Sequence, residues 1–327
     1  MRYLSTLTFL AVALVASAQD IASSKPLRCG IIGLDTSHVI AFTTTLNTKN
    51  LPEFAGIRIV AAYPQGSKDI PGSVSRVPDY TAKVQAMGVQ IVDSVEALVS
   101  QVDAVFLETN DGRPHLEQLR PCLAAKKPVF IDKPIAADLA DTLRIFAEAK
   151  AAGVPIFCSS SLRFGKATQA VAQGSIGKVL NAETSSPASL DPHHIDLYWY
   201  GVHGCEALYT VMGMGCKTVK RGTTAEGLIE VTGDWGDGRT GIFRESKKYG
   251  GSAKSEKGEA TIGSYDGYDV LLSAVVKFFR SGQVPVSAEE TTELYTFMAA
   301  ADESKRANGA EVKLADVLAK AQAAVAK

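Results

Sequence analysis

The sequence predicts an α/β protein: a doubly wound parallel sheet in the first half, then an α+β half with an open, mostly antiparallel sheet. Three observations predict it. From Leu27 to Phe157, short and almost wholly apolar runs alternate with helical stretches, the pattern of strands covered on both faces. After Gly174 the runs become short strands divided by glycine-rich turns. The length of 327 residues, 46% of them hydrophobic, also exceeds what one core usually holds, so two domains are expected.

In order, strands are expected at Leu27–Ile32, Ile57–Ala62, Val89–Val92, Ala104–Leu107, Val129–Ile131 and Val154–Phe157. Helices are expected from Thr36 or Ser37 to Asn47, from a cap formed by Asp93 and Glu96 to Val99, over His115–Ala125 and over Asp138–Ala152. In the second half, Gly174–Val179 is a turn leading into a strand. Gly227–Val231, Thr240–Arg244 and Glu259–Ile262 are strands, and Gly233–Gly238 is a turn. Helices follow at Tyr268–Arg280 and from a Ser287/Glu290 capping box to Ala307. The domain boundaries are 25–157 and 158–327, with the last helices packing back on the first domain.

Residues 1–18 read as a signal peptide. Arg2 gives a positive start, Leu4–Val15 is mostly apolar, and Ala16-Ser17-Ala18 is a small-x-small cleavage site. The apolar run is shorter than the roughly 20 residues a membrane span needs. Export to the periplasm or beyond is therefore expected, with no membrane attachment after cleavage. The net charge of −1 gives no basic excess for nucleic acid. The five cysteines show no C-x-x-C spacing, so neither an essential disulfide nor a zinc cluster is expected.

Ligands of such folds sit beyond the carboxyl ends of the parallel strands. The first of these loops begins Gly33-Leu34-Asp35-Thr36-Ser37-His38, where a dinucleotide fingerprint G-x-G-x-x-G would need glycine at positions 35 and 38. Gly33 permits the tight turn, and His38 replaces the glycine needed for close helix–strand packing, so a displaced helix start is expected. Asp35 brings a charge to the place where the phosphates would lie. Two like charges about 4 Å apart repel by roughly 4 kcal/mol at an effective dielectric near 20. A helix N-terminus returns only about 0.3–1 kcal/mol. Asp35 is thus expected to weaken phosphate binding unless it turns away. The second strand ends without the usual ribose-binding acid, leaving Gln65 or Ser67 for that role.

Further along, Asp132-Lys133-Pro134 ends the fifth strand, and a strand-end lysine can hold or deprotonate a hydroxyl. Gly201-Val202-His203-Gly204-Cys205-Glu206 opens an apolar helix, with His203 and Glu206 on one face. Tyr198-Trp199-Tyr200 and Arg163 are candidates to face a sugar. Asp35, His38, His193, His194 and Asp196 could supply metal ligands, yet no H-E-x-x-H or similar spacing occurs, and no metal is expected.

Four of these segments resemble the Gfo/Idh/MocA oxidoreductases: Asp132-Lys133-Pro134, Gly174-Ser175-Ile176-Gly177-Lys178-Val179, Gly201-Val202-His203, and Ala300-Ala301-Asp302-Glu303-Ser304 with Gly309. The resemblance implies NAD(P)-dependent hydride transfer at a carbohydrate or cyclitol hydroxyl, with Lys133 and His203 as the acid/base pair. It implies cofactor contacts by Gly33, Thr36, Ser37, His38, Gln65, Thr109, Asn110 and Asp132, and substrate contacts by Arg163, Tyr200 and Glu206. A homo-oligomer is also expected. The chain departs from the family pattern at Asp35 and His38, at Trp199 where an aspartate is usual, at Glu108 in the loop after the fourth strand, and at Asp132, which replaces a glutamate. A non-redox enzyme on the same fold (a lyase, epimerase or hydrolase) is the alternative, and a sugar-binding protein a third reading.

Overall fold

The computed structural model describes residues 26–326. The expected signal peptide lies outside the described residues. The first sheet has six parallel strands, β1 (Leu27–Ile32), β2 (Ile57–Tyr63), β3 (Gln90–Ile91), β4 (Ala104–Leu107), β5 (Val129–Ile131) and β6 (Ile156–Cys158), in the order β3-β2-β1-β4-β5-β6. The order reverses beside β1, so a crevice opens there at the strand ends. The second sheet contains β7 (Asn181–Ser186), β8 (Thr218–Thr223), β9 (Ile229–Gly236), β10 (Arg239–Glu245), β11 (Gly250–Ser255), β12 (Gly258–Thr261) and β13 (Val312–Lys313). Its order is β12-β11-β7-β10-β9-β8-β13, antiparallel except for the β7–β10 pair.

The first-half helices are α1 (Ser37–Asn47), α2 (Pro71–Val74), α3 (Val77–Ala86), α4 (Val95–Val99), α5 (His115–Ala124) and α6 (Leu139–Ala152). Then come α7 (Lys166–Ala172), α8 (Asp196–Trp199), α9 (Val202–Met212), α10 (Asp269–Ser281), α11 (Ala288–Arg306) and α12 (Leu314–Val325). The caps follow sequence logic: the side chains of Thr36, Asp138 and Ser287 each accept a first-turn N–H. One cap differs from expectation. Ser94 rather than Asp93 caps α4, its hydroxyl accepting the Ala97 N–H. Residues Gly233–Gly236 were expected in a turn but belong to β9, and the turn itself is Asp237-Gly238, both at positive φ. A Cβ on Gly233 would come within 2.8 Å of the Trp235 and Phe297 rings, so glycine there serves packing.

Two cores hold the sheets. On one face of the first sheet Phe106, Phe130 and Phe157 stand side by side on β4, β5 and β6, fully buried. They meet Phe279 and Phe278 of α10, with Phe106–Phe279 and Phe157–Phe278 ring centroids each 5.1 Å apart. Fully burying one such ring contributes about 1.5–3 kcal/mol, so this wall is a large part of the first core. On the other face α11 and α12 pack against α6. Ser304 accounts for the A-A-x-E-S…G motif: its hydroxyl accepts the Arg221 N–H of β8 and donates to the Ala310 carbonyl, pinning α11 to the second sheet.

Candidate active site

A cavity of about 470 Å³ opens beyond the ends of β1 and β5, against α9. Nine of the residues proposed for function line it: Thr36, Ser37, His38, Asn110, Asp132, Lys133, Trp199, Tyr200 and His203. Strand-end placement explains the convergence, since β1, β4 and β5 deliver Thr36, Asn110 and Lys133 to one rim.

Lys133 directs its Nζ toward the Tyr200 ring, 5.9 Å from the centroid. The Asp132 carboxylate is fully buried; it accepts the Lys133 backbone N–H at 2.8 Å and meets His38 Nδ1 at 2.9 Å. Burial alone would raise the Asp132 pKa, but the charges of His38 and Lys133 outweigh it and hold the group below the usual carboxylate value. Glu108, also fully buried, behaves oppositely. Desolvation first, and then repulsion from Asp132, push it well above its ordinary value.

His203 projects from the first turn of α9. Gly204 lets that helix sit close to the sheet, because a Cβ there would stand 2.5 Å from the Phe243 ring. Ser160, after β6, holds His203 Nδ1 at 2.7 Å, leaving Nε2 as the free nitrogen. Burial, and next the Lys133 charge, lower the His203 pKa well below its usual value, so the ring is neutral at pH 7. Tyrosines 249, 265 and 268, together with Arg76 and Tyr80, add to the walls. Sequence reasoning missed these five. No motif marks them, and the loop carrying Tyr265 and Tyr268 lies far along the chain, although Ser37 Oγ meets Tyr268 Oη at 2.9 Å.

Five other proposed residues lie elsewhere. Arg163 and Glu206 do not line the cavity. Arg163 Nε pairs with Glu206 at 2.5 Å and its Nη1 with Glu290 at 2.7 Å, a buried network that Ser159 joins through Glu206. The two side chains pair with each other away from the cavity, leaving Arg163 Nη2 buried without a hydrogen-bond partner. The Thr109 hydroxyl donates to Gln118 at 2.8 Å, outside the cavity. Gln65 is exposed, its carbonyl accepting from Gln118. Gly33, at φ +84°, supplies the turn; a Cβ there would collide with Thr109, so β1 and β4 can approach only through glycine.

Asp35 turns away from the α1 N-terminus. Its carboxylate accepts N–H groups from Asn110 at 2.9 Å and Ser67 at 3.2 Å, and burial lifts its pKa to about 6. The repulsion expected of it is therefore directed elsewhere. The loop geometry fits the phosphate and nicotinamide end of a dinucleotide: a tight Gly33 turn, an open α1 N-terminus, and Arg76 at the rim. At the ribose end the fit is thinner, because the Ser67 hydroxyl already donates to Asp111 at 3.1 Å. The weighed metal-ligand set does not assemble. His193 and His194 both engage Asp191, while Asp35 faces Ser67 and Asn110.

A six-stranded parallel sheet with its cavity at the β1 switch point, joined to an open mixed sheet, defines the class: a two-domain Rossmann-type protein. Residues 27–160 match the model of the oxidoreductase family with the NAD-binding Rossmann fold. Over this first domain the chain is similar to the Gfo/Idh/MocA oxidoreductases. It is similar to the myo-inositol 2-dehydrogenase of Thermotoga maritima, with 40% identity over 93 residues, 27% of this chain and 28% of that protein. It is also similar to the 1,5-anhydro-D-fructose reductase of Ensifer adhaerens, with 35% identity over 108 residues, 31% of this chain and 32% of that protein. The chain thus spans under a third of the curated relatives it matches. The fold is shared far more widely. The scyllo-inositol dehydrogenase of Lactobacillus casei, solved with NAD(H) and scyllo-inositol, superposes with a TM-score of 0.69 at 18% identity, covering 89% of this chain and 100% of that one. A probable dehydrogenase from Thermotoga maritima gives 0.70 at 22% identity, covering 89% and 100%.

Proposed function

We propose that this protein is an NAD(P)-dependent oxidoreductase acting on a carbohydrate or cyclitol hydroxyl. The observation that carries the reading is that Lys133 and His203 open onto one cavity beside the α1 N-terminus. The named activities of the curated relatives, on inositol and anhydrofructose, support the substrate class.

A bound nicotinamide dinucleotide would supply the two-electron oxidant that such an oxidation needs. Lys133 would hold the substrate oxygen by donated hydrogen bonds, favouring charge that builds there. Nε2 of neutral His203 would accept the hydroxyl proton, with Ser160 keeping the ring oriented through Nδ1. Thr36, Ser37 and Arg76 would face the phosphates, and the tyrosine walls would stack on apolar faces of the sugar.

One observation favours the alternative of a non-redox sugar enzyme. Ser67–Asp111 and Asn110–Ser73 hydrogen bonds, with Asp35 between them, tie the loop after β2 to the loop after β4 across the adenosine side. Fluorescence titration with NADH and NADPH, plus mass spectrometry for co-purified nucleotide, separates the two. Saturable binding followed by cyclitol-dependent reduction of NAD(P) supports the oxidoreductase. Absence of both nucleotide signals, with turnover of sugars persisting, would replace it.

The N-terminal segment of residues 1–18 supports export to the periplasm or beyond, tested by sequencing the mature N-terminus, expected at Gln19. The open second sheet supports a homo-oligomer, tested by light scattering.

A further inference from the structure

Three departures from the family pattern meet at one point. His38 stands at the third fingerprint position, Glu108 follows β4, and Asp132 replaces the usual glutamate after β5. In the fold their side chains converge beneath the α1 N-terminus, with potential ligand atoms all within 4.8 Å of one another. His38 Nδ1 is 2.9 Å from Asp132 Oδ2 and 3.7 Å from Glu108 Oε2. The two carboxylates are fully buried, and neither oxygen of Glu108 meets a donor at good hydrogen-bond geometry, the Thr36 hydroxyl making only a loose approach. Such an orphaned buried carboxylate calls for an unseen partner. Lys133, the adjacent cation, does not supply it. Its Nζ points toward Tyr200, and among the described residues it makes no ion pair with either acid.

We propose that a first-row divalent metal ion, Mn²⁺ or Zn²⁺, binds here through His38 Nδ1, Asp132 Oδ2 and Glu108 Oε2. Ligands about 2.1 Å from an ion stand about 3.0–3.4 Å apart in octahedral or tetrahedral geometry, and the two His38 separations bracket that range. One imidazole with two carboxylates suits these ions better than the all-oxygen sets of calcium. Three protein ligands leave positions open, and His38 and Asp132 both line the cavity. The ion would therefore present its free positions to oxygen ligands such as vicinal hydroxyl or keto groups. This goes beyond the redox reading and does not depend on it, since a bound ion is measurable without nucleotide or substrate.

The test is calorimetric titration of the EDTA-stripped mature protein with MnCl₂ and with ZnCl₂. One equivalent of at least one ion is expected to bind. Glu108→Gln, which keeps the side-chain shape, should weaken that binding at least tenfold. Asp191→Asn, in the separate His193/His194 cluster, should leave it unchanged. Circular dichroism checks that Glu108→Gln is folded; if it is not, His38→Gln is read in the same titration with the same expectation. No equivalent bound by the wild type would overturn the proposal. So would binding that survives substitution of the triad or is lost in Asp191→Asn, which would assign the ion elsewhere.

Discussion

The Asp35 carboxylate accepts the Asn110 backbone N–H at 2.9 Å, joining the loop after β1 to the loop after β4. The same carboxylate takes the Ser67 N–H, so three strand-end loops depend on one side chain. Asp35→Ala leaves two backbone donors without this acceptor. It should cost on the order of 1–3 kcal/mol, read as a lower urea midpoint at unchanged slope. NADH affinity should not rise, because the charge already faces away from the phosphate position. A clear gain in affinity would show that the carboxylate reaches it after all.

Asp35 also predicts a pH dependence of stability. Its pKa rises from an ordinary 3.8 to about 6 on folding, so the native state binds the proton more tightly than the unfolded chain does. The associated stability is fully present below pH about 4 and is lost as pH climbs through about 6, with a span on the order of 3 kcal/mol. Chemical denaturation of wild type and Asp35→Asn from pH 4 to 7 checks it. The wild-type curve should fall across this window more than the variant's. Parallel curves would remove Asp35 as the source.

In the proposed mechanism Ser160 acts through His203, whose Nδ1 it holds. Ser160→Ala removes the group that holds Nδ1, and turnover should fall roughly 10- to 100-fold as the ring loses its orientation. Ser160→Thr, which restores the hydroxyl, should recover most of it. Lys133→Met should abolish turnover with little change in Tm. Wild-type rates in Lys133→Met would exclude the residue from the chemistry.

Arg163 is expected to serve stability through its two buried ion pairs. Arg163→Met strands Glu206 and Glu290 beside an apolar side chain. The expected cost is about 3–5 kcal/mol, visible as a large drop in Tm before any effect on KM. A folded variant of unchanged Tm and raised KM would return Arg163 to the substrate site.

All five cysteines are buried as free thiols. Burial pushes each thiol pKa upward, to about 12 for Cys122 and further for the others. Native protein should resist Ellman's reagent over minutes, whereas denatured protein should release five equivalents without prior reduction. A shortfall after denaturation would reveal a disulfide.

Much of the first domain is legible in the sequence because its strands are buried on both faces, so Ala104–Leu107 and Val129–Ile131 read as unbroken apolar runs. The second sheet is less legible. Strand β8 runs Thr-Val-Lys-Arg-Gly-Thr and β11 runs Gly-Gly-Ser-Ala-Lys-Ser, both short of apolar residues, and neither was expected. Helices α2 and α3 were also not expected; each accommodates a proline, Pro71 or Pro78, in its first turn. At the site, strand-end position pointed to Lys133 and the family resemblance to Asn110 and His203, and all three line the cavity. Arg163 and Glu206 lie outside the cavity, because a polar side chain that will find a buried partner looks the same in sequence as one that will meet a ligand.

The wall of phenylalanines on β4, β5 and β6 is closed by α10, which the chain supplies only after the second sheet has been made. A fragment ending at Cys158 would leave those rings facing water. The parallel sheet is therefore not an autonomous folding unit. During synthesis it must wait, open on one side, for residues more than a hundred positions downstream, and a chain interrupted before Asp269 would be prone to aggregate.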